Sequence, residues 1–202
     1  MYIKDKQDAT GRKRKCDRAF TVHSLRSALI AKRYGMSQFI QLITHGHDVF
    51  ETIESFYEMT EAHRIKDDMS SRFGQKITGK LWKISDFKSK NNSYEDYIQT
   101  LLSDEDVLCA KICDNIDNLY TMMFLHPTEL LHFFEKRTIF MRKVVPMKET
   151  LFKNRPLYNA IDGMFEAGNF ALDIMTSELE KFLTHPVANT YVFDYGNYME
   201  KF

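Results

Sequence analysis

The chain has 202 residues and a mass of 23.9 kDa, the length of one domain with an appended helical tail, and enough to bury a core without disulfide staples. Its 28 Lys and Arg balance 28 Asp and Glu, which speaks against a protein built to neutralise nucleic-acid phosphates but leaves room for a small anionic ligand on a local basic patch. With 44% apolar and 28% charged residues it has the make-up of a globular chain rather than a disordered one, and no 18-residue apolar run predicts a membrane-crossing helix.

Eight glycines and four prolines leave little punctuation for a β fold, and the apolar period is helical almost throughout. Leu25, Leu29 and Ile30 predict a helix from about Val22 to Tyr34, stopped by Gly35. Ser37 is placed to cap a second, apolar segment (Phe39 to Ile43) that runs into Thr44-His-Gly-His-Asp48. Short helices are expected over Ile53 to Met59 and over Asp67 to Phe73, the latter closed by Gly74. The polar stretch Lys83 to Asn92 reads as a surface loop, and Ser93 with Asp96 forms a capping-box pattern opening a helix to Leu102. A long apolar helix follows from Val107 to Leu125, then one from Pro127 that reaches Phe152, and a last one from Leu157 to Leu183. The aromatic tail beyond Pro186 has no clear period.

The cysteines, Cys16, Cys109 and Cys113, are odd in number and form no CxxC, so a reducing, cytoplasmic setting is expected, with Cys109 and Cys113 as small core residues. The first residues, Met1 to Lys6, lack the apolar stretch of a secretory signal.

One constellation carries chemistry. His47 and Asp48 are adjacent at the end of an apolar helix, His23 lies near the start of an earlier one, and Asp114 sits inside the apolar stretch between Ile112 and Ile116. A carboxylate in such surroundings is costly to bury unless paired or bound to a cation. Two imidazoles and two carboxylates form a mixed N/O donor set that suits Mn²⁺, Fe²⁺ or Zn²⁺ better than Ca²⁺. Glu51, three residues after Asp48, shares its face if the helix continues. Plainer readings stand beside these. A His-Asp pair is common on surfaces, His45 rivals His47 as ligand, and Arg12 to Arg18 can be a solvated basic face. Asn118 can be an ordinary polar helix residue, and the Met and Phe abundance can be core alone.

His23, His47-Asp48 and Asp114 resemble the H…HD…D signature of the HD superfamily of phosphohydrolases, an all-α helical bundle. The likeness is closest to its RelA/SpoT-type alarmone hydrolase branch. Arg14-Lys15 with Phe20 and His23, His47-Asp48-Val-Phe-Glu51-Thr52, Ser71-Arg-Phe-Gly74, and Lys111-Ile-Cys-Asp114 through Asn118 resemble successive blocks of that branch in register, over about Arg12 to Met123. The resemblance implies an HD domain over residues 1–150, with residues 151–202 a helical extension packed on it. It implies one Mn²⁺ held by His23, His47, Asp48 and Asp114, with Glu51 and Thr52 at the attacking water. Arg14, Lys15 and Asn118 would meet the nucleotide. The implied reaction is hydrolysis of the 3′-pyrophosphate of ppGpp to GDP and pyrophosphate by a stand-alone enzyme. Thr52 departs from the family's Asp and keeps two alternatives open: an HD phosphohydrolase acting on a nucleoside monophosphate or NADPH, and a nucleotide-binding HD module without turnover. The expected partner is a small anionic nucleotide, with neither nucleic acid nor membrane; assembly into a homo-oligomer is left open.

Overall fold

A computed structural model describes residues 20–54, 59–85, 93–121, 127–147 and 158–184, together with positions 150 and 153. The described residues are almost all helical, and no strand occurs among them, as the period predicts. In chain order these are α1 (Phe20–Arg33), α2 (Gln38–Gly46), α3 (Val49–Glu54), α4 (Met59–Phe73), α5 (Gln75–Ile84), α6 (Tyr94–Leu102), α7 (Glu105–Thr121), α8 (Pro127–Val144) and α9 (Tyr158–Thr184). None of them is long and apolar enough to cross a membrane.

Local chemistry sets several boundaries. Gly35, at φ 72°, closes α1 in a Schellman arrangement: the Met36 N–H donates to Ala31 O and the Gly35 N–H to Lys32 O, both at 3.0 Å. The Ser37 hydroxyl caps α2 by accepting from the Ile40 N–H at 3.3 Å. Ser93 and Asp96 make the reciprocal capping box at the start of α6, each backbone N–H donating to the other's side chain at 3.2 Å.

Other boundaries differ from the sequence reading. The helix expected to reach Phe152 stops at Val144 and gives way to a 3₁₀ turn, Val145–Met147. Pro146 explains this, because it has no N–H to donate and disfavours helical geometry at the residue before it. α4 begins at Met59 rather than Asp67, its N-terminal half being too polar to reveal an apolar stripe. The expected helix over Ile53 to Met59 is instead α3, ending at Glu54, with 55–58 outside the described residues. α5 runs to Ile84, into the segment read as loop from Lys83.

The architecture is organised around α7, on which α1, α2, α5, α6, α8 and α9 all pack. Every residue of α7 from Val107 through Asp117 is buried, so this helix has no solvent face. Cys109 and Cys113 are free and buried on it, with Cys113 against Met164 of α9. Four polar side chains, Lys111, Asp114, Asn115 and Asp117, are thereby carried into the interior. The corner between α2 and α3 is braced by α5. Phe50, fully buried, meets Trp82 edge to face at 5.0 Å between ring centres, and the Ser85 hydroxyl, which donates to the Leu81 carbonyl at 2.8 Å, lies 3.5 Å from the His47 carbonyl.

Gly74, between α4 and α5, has φ 86° and ψ 151°, a region open essentially to glycine. Gly74→Ala is expected to lower stability by about 1–3 kcal/mol in chemical denaturation. An unchanged midpoint would show that the α4–α5 turn relaxes at no cost.

Candidate metal centre

Three separate pieces of chain meet beside α7. His23 comes from α1, His47 and Asp48 from the two-residue corner between α2 and α3, and Asp114 from the middle of α7; all four are buried. His23, His47 and Asp114 each place one donor atom within 4.8 Å of the others. The His23 Nε2 lies 3.1 Å from the His47 Nε2 and 2.9 Å from Asp114 Oδ1, and the His47 Nε2 lies 3.2 Å from the same oxygen. Asp48 flanks this group, with Oδ1 3.1 Å from the His47 Nε2 and Oδ2 3.6 Å from the His23 Nε2. Two donors at right angles around one ion, each at about 2.1 Å, are about 3.0 Å apart, so these separations suit donors of a single ion.

The protons of the imidazoles decide what the cluster requires. The His47 Nδ1 is 2.7 Å from the Thr44 carbonyl oxygen, which can only accept. The His23 Nδ1 is 2.5 Å from Asp117 Oδ2, an oxygen of a carboxylate held below its usual range. Each Nδ1 therefore carries a proton and donates it, so a ring without a second proton turns a lone pair on Nε2 toward the other. Two lone pairs at 3.1 Å, with carboxylate oxygens beside them, repel unless a positive species lies among them. A proton or a metal ion can serve. The group can hold a metal ion, and its two nitrogens and carboxylate oxygens are the donor types of a divalent transition ion.

The surroundings fix Asp114 tightly. Lys111, itself buried, donates to Asp114 Oδ2 at 2.8 Å, leaving Oδ1 for the imidazoles. Burial opposes the Lys111 charge, yet Asp114, Tyr97 and Glu51 hold the ammonium well above its usual range. Burial likewise opposes ionisation of Asp114, but Lys111 and His47 keep its carboxyl well below the usual carboxylate range. Asp48 is also lowered, by His47 and His23 against burial. His47 is pulled down by burial and pushed up further by Asp48 and Asp114, with the net direction well above its usual range.

Of the residues singled out from the sequence, His23, His47, Asp48 and Asp114 are brought together. Glu51 is half-buried on α3, near enough to Lys111 to hold its charge. Asn118 donates from Nδ2 to Asp114 Oδ1 at 2.5 Å, so its amide lies on the carboxylate that faces both imidazoles. The backbone of Thr52 lies in α3, but its side chain, and all of Arg14 and Lys15, fall outside the described residues. His45 is half-buried, with burial pushing its imidazole down, and offers no donor to the cluster.

Sequence reasoning passed over Lys111, Asp117 and Arg26. A signal was present: Lys111, Asp114 and Asp117 recur every three residues on an otherwise apolar helix, and Arg26 follows His23 by three. Comparison with protein-family models, with curated proteins and with solved structures finds no match for this chain. What fold and site define together is an all-α protein with a buried His/Asp cluster able to bind a metal ion.

The electrostatics predict a proton–metal competition. The folded-state value of His47 lies above the unfolded value near 6.5, so its protonated form stabilises the metal-free protein below that pH, and this contribution fades as pH rises through the raised value. A divalent ion needs the same lone pair. Thermal stabilisation by a divalent transition ion is therefore expected to be larger at about pH 8 than at about pH 6. An equal shift at both would contradict proton displacement at His47.

Proposed function

We propose that the chain is an HD-type, Mn²⁺-dependent phosphohydrolase that removes the 3′-pyrophosphate of ppGpp, giving GDP and pyrophosphate. The observation that carries this reading is the convergence of the His23 Nε2, the His47 Nε2 and Asp114 Oδ1, from residues spaced as in the H…HD…D signature. The donor set fits the ion: two imidazoles with their Nδ1 protons committed elsewhere, so that Nε2 can bind once the ion displaces the proton His47 holds, and buried carboxylates held ionised. His23, His47, Asp48 and Asp114 would hold it. Bound there, a divalent cation supplies Lewis acidity toward a phosphoryl oxygen and lowers the pKa of water.

The side chains divide the remaining work. Glu51, beside the corner that carries Asp48, takes the proton of the attacking water. Water adds to the phosphorus next to the ribose 3′ oxygen, the bond between them breaks, and the 3′ oxygen leaves as a hydroxyl after gaining a proton. Lys111 keeps Asp114 ionised and turned toward the imidazoles, and Asn118 steadies the same carboxylate. Arg14 and Lys15 meet the phosphates of a substrate far more anionic than the neutral chain as a whole. The setting proposed for this activity is the cytoplasm.

Thr52 favours a second reading. A hydroxyl can orient water but cannot take a proton from it at neutral pH, so with Thr in place of the family's Asp the chain can bind nucleotide without turning it over.

Incubation with Mn²⁺ and ppGpp is expected to release pyrophosphate. Release of inorganic phosphate from a nucleoside monophosphate or NADPH would move the activity to another nucleotide. Tight ppGpp binding with no product would favour the second reading. Asp114→Ala is expected to abolish both metal content and turnover, with elemental analysis as the check; full metal retention would contradict the ligand assignment. Thr52→Asp is expected to raise turnover about 10-fold or more, because it restores a second group able to take a proton. An unchanged rate would mean that Glu51 suffices.

A further inference from the structure

The two imidazoles of the cluster are supported unequally. His47 rests on a neutral backbone carbonyl, that of Thr44, whereas His23 rests on a full carboxylate, Asp117. That carboxylate is buried and is itself held in a fork. The Arg26 Nε donates to Oδ1 at 2.8 Å and its Nη2 donates to Oδ2 at 3.1 Å. Oδ2 is thus shared between the guanidinium and the His23 Nδ1, and the carboxylate plane is fixed by α1 while its own backbone belongs to α7. His23 and Arg26, three apart on α1, face Asp114 and Asp117, three apart on α7, so one helix–helix contact fixes the whole row.

A histidine that binds an ion through Nε2 must carry its proton on Nδ1. A carboxylate accepting that proton fixes the tautomer, holds the ring orientation and strengthens the donor nitrogen. We propose that Asp117, clamped by Arg26, is a positioning residue of the metal centre, presenting the His23 Nε2 lone pair to the ion. This rests on the metal-centre reading above. A solely structural Arg26–Asp117 ion pair would join α1 to α7 equally well, but it would not require the second carboxylate oxygen to lie on the Nδ1 of a ligand imidazole.

Asp117→Asn separates the two roles. The amide keeps the shape of the carboxylate but has one oxygen. Whichever way it turns, one of the two donors now sharing the carboxylate, Arg26 or the His23 Nδ1, meets an NH₂ group. Mn²⁺ affinity measured by titration calorimetry on the metal-free protein is expected to fall by about 10–100-fold in Asp117→Asn. Arg26→Gln, which removes the clamp but leaves the carboxylate, is expected to lose less. The thermal midpoint of each metal-free variant is recorded beside its affinity. A lowered midpoint with wild-type Mn²⁺ affinity would make Asp117 structural and overturn the proposal. Should Asp117→Asn fail to fold, Arg26→Gln decides: reduced affinity supports the clamp, and wild-type affinity overturns it. Wild-type protein that binds no Mn²⁺ would remove the metal centre itself, and this inference with it, an outcome distinct from equal binding by wild type and variants.

Discussion

The structure turns on the meeting of two imidazole nitrogens that a positive species, a proton or a metal ion, must reconcile. Because the Nδ1 protons of His23 and His47 are committed to Asp117 and to the Thr44 carbonyl, their Nε2 atoms, 3.1 Å apart, are left to take a cation between them, and in the metal-free protein the raised proton affinity of His47 supplies one. Around them stand Asp48 and Asp114, ionised and buried. An interior of this kind needs positive charge, which a second proton on His47 or a metal ion can supply. The fixed cations nearby are already engaged: Lys111 with Asp114 Oδ2, and Arg26 with Asp117. The cluster can therefore take up a cation, either a second proton or a metal ion.

The helical scaffold makes this arrangement affordable. An ordinary surface helix could not keep Asp114 dry, but α7 is covered on every side, and helices on its several faces hold the polar row in place. His47 and Asp48 sit at a corner braced by Trp82 and Ser85 of the α5 segment, and α1 is pinned to α7 by the Arg26–Asp117 fork. Rigid supports matter because metal donors must be held to within a fraction of an ångström.

Much of this was legible in the sequence, and the reasons are local. Gly35, Ser37 and the Ser93–Asp96 box act within one turn of helix, so neighbouring residues declare them. Asp114 stood out because a carboxylate on an apolar helix demands a partner, and His23, His47 and Asp48 stood out beside it through a spacing that resembles the H…HD…D signature. The extension of α4 back to Met59 was hidden by its polar sequence, and α5 begins at a glycine with no side-chain cap to announce it. Pro146 is a stop signal inside the stretch read as one helix to Phe152, and the chain turns there. The spacing of Asp117 and Arg26 was on view, but their pairing was not: they are 91 residues apart, and the contact follows from how α1 lies against α7. Local pattern cannot supply that crossing.

The most direct test of the account is a crystal structure of the protein with Mn²⁺, with anomalous scattering used to locate the ion. The account predicts one strong peak at about 2.1–2.3 Å from the His23 Nε2, the His47 Nε2 and Asp114 Oδ1, with both Nδ1 contacts kept. A peak elsewhere, or an imidazole hydrogen-bonded directly to Asp114 with no ion between them at saturating Mn²⁺, would contradict it.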